Sequence, residues 1–279
     1  MNEFILLKFS LYILIIILFY LVNNLNKYKN FSNYIYNDLN NNITIKNIIN
    51  LKKLVYTIIL GNYDKPKQFN KQKGYDYYLI TDDNSIEKYK ETNWTILKIP
   101  DEVNILNIST IKKQRFLKLH PHLIFKNYDL SIYIDGTFII KGNLTEFLLR
   151  ILTPQIYFYT FEHPERNRIL QELKAVIKYK KENRRMTKLI HKRYKKEKFP
   201  DNNGLIESCL LIRKHNEKGC INFMTRWYYE IEKYSHRDQL SFNYIYWKNG
   251  IKIKYISKQY ALKYFIQNRS HLIYKKYNE

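Results

Sequence analysis

The run SIYIDGTFII, residues 131–140, is apolar until one acid, Asp135, is followed at once by Gly136. A carboxylate taken out of water is costly unless it is paired or binds something. An acid at a strand end is either an ordinary turn cap or a ligand contact, and the glycine lets a backbone or ligand come close. Asp82 and Asp83 close a second apolar run, DYYLIT. Two such acids could hold a ribose hydroxyl and a base, or a hydrated metal; the plain alternative is an Asp-Asp-Asn turn. Arg115 and Lys118 stand three apart, on one helix face, and are followed by His120 and His122. They could neutralise a diphosphate or simply form a solvated basic face. Weaker patterns are His163 and Arg166 in FEHPER, Glu207 with Arg213 and His215 in ESCLLIRKHN, and Asp238 with Gln239 in SHRDQLSF, where an Asp can equally cap a helix.

These residues need a frame that brings distant segments together. LVYTIIL (54–60), DYYLIT (76–81), WTILKI (94–99), LSIYIDG (130–136), QIYFYTF (155–161), ESCLLIR (207–213) and IKIKYI (251–256) have the apolar, β-rich make-up of strands. Helices are expected over STIKKQRFLKL with Ser109 as N-cap, over NLTEFLLRIL, as one or two long segments within 165–198, over EKGCINFMTRWYYEIEKY, and over RDQLSFNYIYW. Strands alternating with helices predict an α/β domain: a mainly parallel sheet with helices on both faces. Ligands of such sheets bind beyond the carboxyl ends of the strands, where Asp82 and Asp135 fall.

Three segments follow. Residues 1–22 contain a nineteen-residue apolar stretch, 4–22, broken only by Lys8, which suits an N-terminal transmembrane anchor. No small-residue cleavage site follows it, so an uncleaved signal-anchor is favoured over a signal peptide. Residues 23–50 are Asn-rich and form a stem or linker, and 51–279 form the body. The expected location is therefore a membrane: the endomembrane system of a eukaryote, or a host or viral membrane.

Aromatics at 16% and hydrophobics at 45% are ample for a packed core and argue against wholesale disorder. Two cysteines, Cys209 and Cys220, exclude a disulfide framework and a cysteine-rich zinc cluster. The net charge of +23 would attract polyanions, although codon bias toward Lys and Asn accounts for part of it. Residues 174–198 hold twelve Lys/Arg against two Glu, with only Tyr179 and Tyr194 as aromatics, so no base-stacking platform is evident and a solvated face is favoured.

Taken in order, YTIILGNYDKP, DYYLITDD, WTIL, RFLKLHPH, YDLSIYIDGTFII, FEHPER, GLIESCLLIRKHN and RDQLSFNYIYWK resemble the plant mucilage-related and turgor-regulation-defect family, over roughly residues 54–250. That family is grouped with GT-A-like glycosyltransferases. The resemblance implies a GT-A-like fold and transfer of a hexose from a nucleotide-diphosphate donor to a hydroxyl acceptor on a glycan or glycoconjugate. It implies that Asp135 contacts ribose or metal, Asp82 lies near the nucleoside, Arg115 and Lys118 face the diphosphate, and Gln239 and Asp238 lie beside the transferred sugar. Asp238 or Glu207 would serve as acceptor base, with His163 and Arg166 on the acceptor side. One departure stands out. A DxD motif needs an acid where Thr137 stands, so dependence on Mn2+ or Mg2+ is either absent or rests on Asp135 with a distant residue such as His271. The rivals are a membrane-tethered nucleic-acid or polyanion binder, a degenerate domain that binds sugars without turnover, and a lipid hydrolase. The last finds no G-x-S-x-G or H-E-x-x-H motif here.

Overall fold

The structure is a computed structural model that describes residues 47–82, 86–89 and 91–268. The proposed anchor, nearly all of the stem and His271 lie outside the described residues. Among the described residues no helix is long and apolar enough to cross a membrane. The chain divides into two compact units, 1–50 and 51–279. The second carries the sheet and everything that follows.

Its centre is a seven-stranded sheet in the order β3-β2-β1-β4-β7-β6-β8. The strands are β1 (Lys53–Ile59), β2 (Tyr75–Thr81), β3 (Thr95–Lys98), β4 (Leu130–Ile134), β6 (Phe158–Glu162), β7 (Ile206–Arg213) and β8 (Ile253–Ile256). All seven residues of β1 and all five of β4 are buried, as unbroken apolar runs require of strands covered on both faces. Two strands were not expected from the sequence. β5 (Phe138–Ile140) and β9 (Phe265–Gln267) pair antiparallel as a separate ribbon, so IKIKYI is not the last strand. Three residues each are too short for a periodic signal to show.

The longer helices are α1 (Thr110–Leu119), α2 (Leu144–Ile151), α3 (Ile169–Lys178), α4 (Arg184–Lys196), α5 (Lys218–Lys233) and α6 (Gln239–Asn249). Ser109 stands at the N-cap of α1 but its side chain makes no capping bond, whereas Asn143 caps α2 by accepting from the Glu146 N–H. The expected basic stretch 165–198 is two helices. α4 turns Thr187, Ile190 and Tyr194 inward and leaves most of its Lys and Arg in water, as the solvated-face reading anticipates.

Direction matters for the site. β1 pairs parallel with β2 and β4, β2 with β3, and β6 with β8, but β7 runs antiparallel to both neighbours. The reason lies in the connection. The chain leaves β6 at one edge of the sheet, folds α3 and α4, and re-enters at that same edge; without a crossover the next strand must run back. The amino end of β7 thus shares an edge with the carboxyl ends of β1, β2 and β4, while Arg213 lies opposite Ser131 at the far edge.

Behind that edge, Phe158, Phe223, Trp227 and Phe242 form an aromatic core with centroids 4.8–6.3 Å apart. A ring the size of Trp227 removes roughly 200 Å² from water, on the order of 5 kcal/mol before entropy is counted. The same ring positions the site: Trp227 Nε1 donates to the Asp238 carbonyl at 3.0 Å. On the other flank Tyr56 Oη (2.9 Å) and Arg213 Nη1 (2.8 Å) both donate to the Lys118 carbonyl and fix the end of α1.

Candidate active site

A cleft of about 980 Å³ opens along this edge. Its first wall is the turn after β1. Gly61 (φ 64°) and Asn62 (φ 57°) are both left-handed, and the Tyr63 N–H reaches the Leu60 carbonyl, the geometry of a type I′ turn that Gly and Asn tolerate. Asp82, at the end of β2, does not line the cleft. It accepts from the Gly61 N–H and so props this turn. The parallel β1–β2 register sets Ile59 opposite Thr81 and so brings Asp82 to this turn, away from the cleft wall where a nucleoside contact was expected.

Asp135 follows β4 and is half-buried in the cleft wall. Its N–H donates to the Cys209 carbonyl, continuing the β4–β7 ladder by one residue. Its Oδ1 accepts from Tyr133 Oη at 2.6 Å; Tyr133 accepts from Gln114 at 3.0 Å, and the Gln114 oxygen accepts from Arg115 at 2.6 Å. The relay orients the carboxylate. Gly136 is needed for closeness: a Cβ there would stand 3.2 Å from Ile59 Cδ1 and 3.7 Å from Asp64 Cβ. Asp64, 3% exposed, is therefore a second cleft acid beside Asp135. It lies in the GNYDKP loop, five residues past the end of β1, where no strand-end acid pattern marks it.

The floor is a buried ion cluster. Asp238 is 3% exposed and Lys118 1%. Lys118 Nζ lies 2.7 Å from Asp238 Oδ2, which also accepts from Ser208 Oγ at 2.8 Å, and Arg115 Nε is 3.6 Å away. Asp238 Oδ1 accepts from the Gln239 N–H and starts α6; the Gln239 amide donates to the Ile206 carbonyl. Burial by itself would raise the Asp238 carboxyl, but the Arg115 guanidinium and Lys118 ammonium outweigh it and hold the group well below the usual carboxylate range. In this structure Asp238 stands as the counter-ion of Lys118 and Arg115, not as the free acceptor base expected from the sequence, and the two cations face it.

The far wall comes from the β6–β7 excursion. His163 Nδ1 accepts from the N–H groups of Glu165 (3.1 Å) and Arg166 (3.0 Å). Burial and the adjacent Arg166 push its pKa down against the pull of Glu172. Arg166 is braced by Glu172 at 2.7 Å and Glu165 at 3.2 Å. Glu207, near the start of β7, receives a hydrogen bond from Lys258 Nζ. The cleft thus brings together Arg115, Lys118, Asp135, His163, Arg166, Glu207, Asp238 and Gln239 of the expected set, and adds Asp64, Lys181 and Arg237. Arg237 was overlooked beside Asp238, and Lys181 was hidden in the basic run.

The donor set does not fit an ion held by three protein side chains. Among the described residues no three of His, Cys, Asp and Glu converge, Thr137 is buried and lacks a carboxylate, and His271 lies outside them.

A mixed α/β sheet with a charged cleft at its carboxyl edge is the build of a ligand-binding α/β enzyme domain. The family model described as TOD1/MUCI70, glycosyltransferase-like domain, matches residues 37–278, and the chain belongs to that family. The resemblance seen in the sequence is borne out, and the expectation of a glycosyltransferase stands at the level of the family. No protein with a curated description matches in sequence. Among solved structures, the chain is similar to mouse xyloside xylosyltransferase 1 (10% identity, 73% of this chain and 85% of that one, TM-score 0.47). It is also similar to the galactosyltransferase LgtC, solved with donor and acceptor sugar analogues (11%, 72% and 72%, TM-score 0.41), and to a glycosyltransferase involved in glycosylation of the major capsid of PBCV-1 (10%, 81% and 98%, TM-score 0.40). Likenesses at these scores carry no weight for substrate or mechanism.

Proposed function

We propose that this chain is a GT-A-type hexosyltransferase that uses a nucleoside-diphosphate sugar and a hydroxyl acceptor on a glycan or glycoconjugate. The observation that carries this reading is the convergence of Asp135, Glu207 and Gln239, from three distant segments, on one cleft at the edge where α/β sheets bind ligands. In this reading Asp135, held by Tyr133, receives hydroxyls of the donor, and Gln239 lies beside the transferred sugar. The anomeric carbon–oxygen bond breaks with its electron pair leaving on the diphosphate, and the acceptor oxygen forms the new bond. The acceptor proton passes to Glu207, the half-buried cleft carboxylate that replaces Asp238 in that role. No step is routed through a metal. The residues before 51 would tether the domain to a membrane through 4–22.

The test is nucleotide release by the full chain from a panel of UDP- and GDP-sugars, with and without Mn2+. Glu207→Gln should lower turnover about 10²–10⁴-fold with donor affinity retained; an unchanged rate removes Glu207 from the chemistry. A second reading, a domain that binds sugar nucleotides without turning them over, is favoured by Thr137 and by the burial of Asp238. Nucleotide binding without release under any condition would establish it.

A further inference from the structure

With Lys118 and Arg115 committed to Asp238 and Arg166 braced by Glu172, two cleft cations remain, Lys181 and Arg237. Among the described residues neither has a carboxylate within ion-pair reach, and Arg237 Nε is buried with no hydrogen-bond partner. They are held in place from two sides. Helix α3 ends in a Schellman turn: Lys180 is left-handed (φ 52°), its N–H reaches the Ile177 carbonyl, and the Lys181 N–H reaches that of Val176. The next residue, Glu182, accepts from Ser235 Oγ at 2.6 Å, and Ser235 Oγ accepts from the Arg237 N–H at 3.1 Å. The other Glu182 oxygen accepts from Asn183. Glu182 thus ties the two loops together through Ser235 and, among the described residues, forms an ion pair with neither cation. Partial removal from water first, and then the neighbouring Arg237 guanidinium, press the Lys181 ammonium below its usual range against the pull of Glu172.

We propose that Lys181 and Arg237 form an oxyanion subsite of the cleft for a phosphate or diphosphate group. Two adjacent cations match a group carrying about two negative charges, and a guanidinium fork beside an ammonium suits phosphate oxygens. Which phosphate occupies the subsite rests on the transferase reading: the diphosphate of the donor, stabilised as it leaves, or a phosphate on the acceptor. The subsite itself does not depend on that reading.

The experiment is calorimetric titration of the full chain with inorganic pyrophosphate, UDP and uridine. It compares wild type with Lys181→Met and Arg237→Met, and with Arg168→Met as an exposed control outside the cleft. Loss of a charged hydrogen-bond donor should weaken pyrophosphate binding about tenfold or more in both cleft variants and leave the control unchanged. If the margin of UDP over uridine shrinks equally, the donor diphosphate is the ligand; if that margin holds while pyrophosphate weakens, the phosphate belongs to the acceptor. Pyrophosphate weakened in a chain that binds no nucleotide would keep the subsite and overturn the transferase reading. Pyrophosphate that binds wild type and both variants alike, or binds none of them, overturns the subsite.

Discussion

Replacing Asp238 by asparagine should cost this protein its stability before it costs it any chemistry. The substitution keeps the shape and the bond from Ser208 but removes the one charge facing Lys118, which is 1% exposed, at 2.7 Å. Removing one partner of a buried pair costs about 3–5 kcal/mol, because the remaining ion has neither water nor a counter-charge. Asn retains hydrogen bonds, so the lower figure applies, and at about 2–4 °C per kcal/mol the melting temperature should fall by roughly 6–12 °C. Circular dichroism melts of the full chain read this directly. The double change Lys118→Met with Asp238→Leu should recover part of the loss, since it removes the buried ammonium together with its partner while Arg115 gives up its 3.6 Å pair and keeps only the field of Asp135. The pH dependence has a definite sign. The folded carboxyl titrates below its unfolded value near 4, so its contribution is complete above that pH and fades as pH falls further. The gap between wild type and Asp238→Asn should therefore narrow below about pH 4. A variant that melts with wild type at neutral pH while losing turnover would refute the counter-ion role and restore Asp238 as a proton acceptor.

Further expectations can be checked with the same preparations. Asp135→Ala should abolish release of nucleotide from any sugar donor and leave the melting temperature within a few degrees, since the side chain gives up one hydrogen bond, from Tyr133, and a weaker attraction to Arg115; retained turnover would take Asp135 out of the site. Gly142→Ala should destabilise by about 1–3 kcal/mol through overpacking, because its Cβ would meet Tyr264 Cα at 2.8 Å, where β9 closes on β5; an unchanged melt would show that this ribbon shifts freely. EDTA should leave UDP affinity unchanged, as expected of a cleft with no three-ligand ion site among the described residues; a loss restored by Mn2+ would reverse that.

By itself the sequence determined the seven strands of the main sheet, its longer helices and the edge where chemistry would gather, but not the β5–β9 ribbon. Short β-rich apolar runs such as LVYTII suit strands buried on both faces, and acids that end them emerge where the sheet stops. That is why spacing alone singles out Asp135 as a cleft residue, whereas Asp64, in the loop past β1, reaches the cleft only through the turn at Gly61 and Asn62. Only the tertiary structure decided what each charge is for. Whether Lys118 meets a ligand or Asp238 depends on a contact between residues 120 apart, and whether Glu207 joins the cleft depends on β7 running backwards. Local sequence carries periodicity and turn chemistry; the pairing of charges is set by long-range packing, where an ion leaves water only against the partner that the fold brings to it.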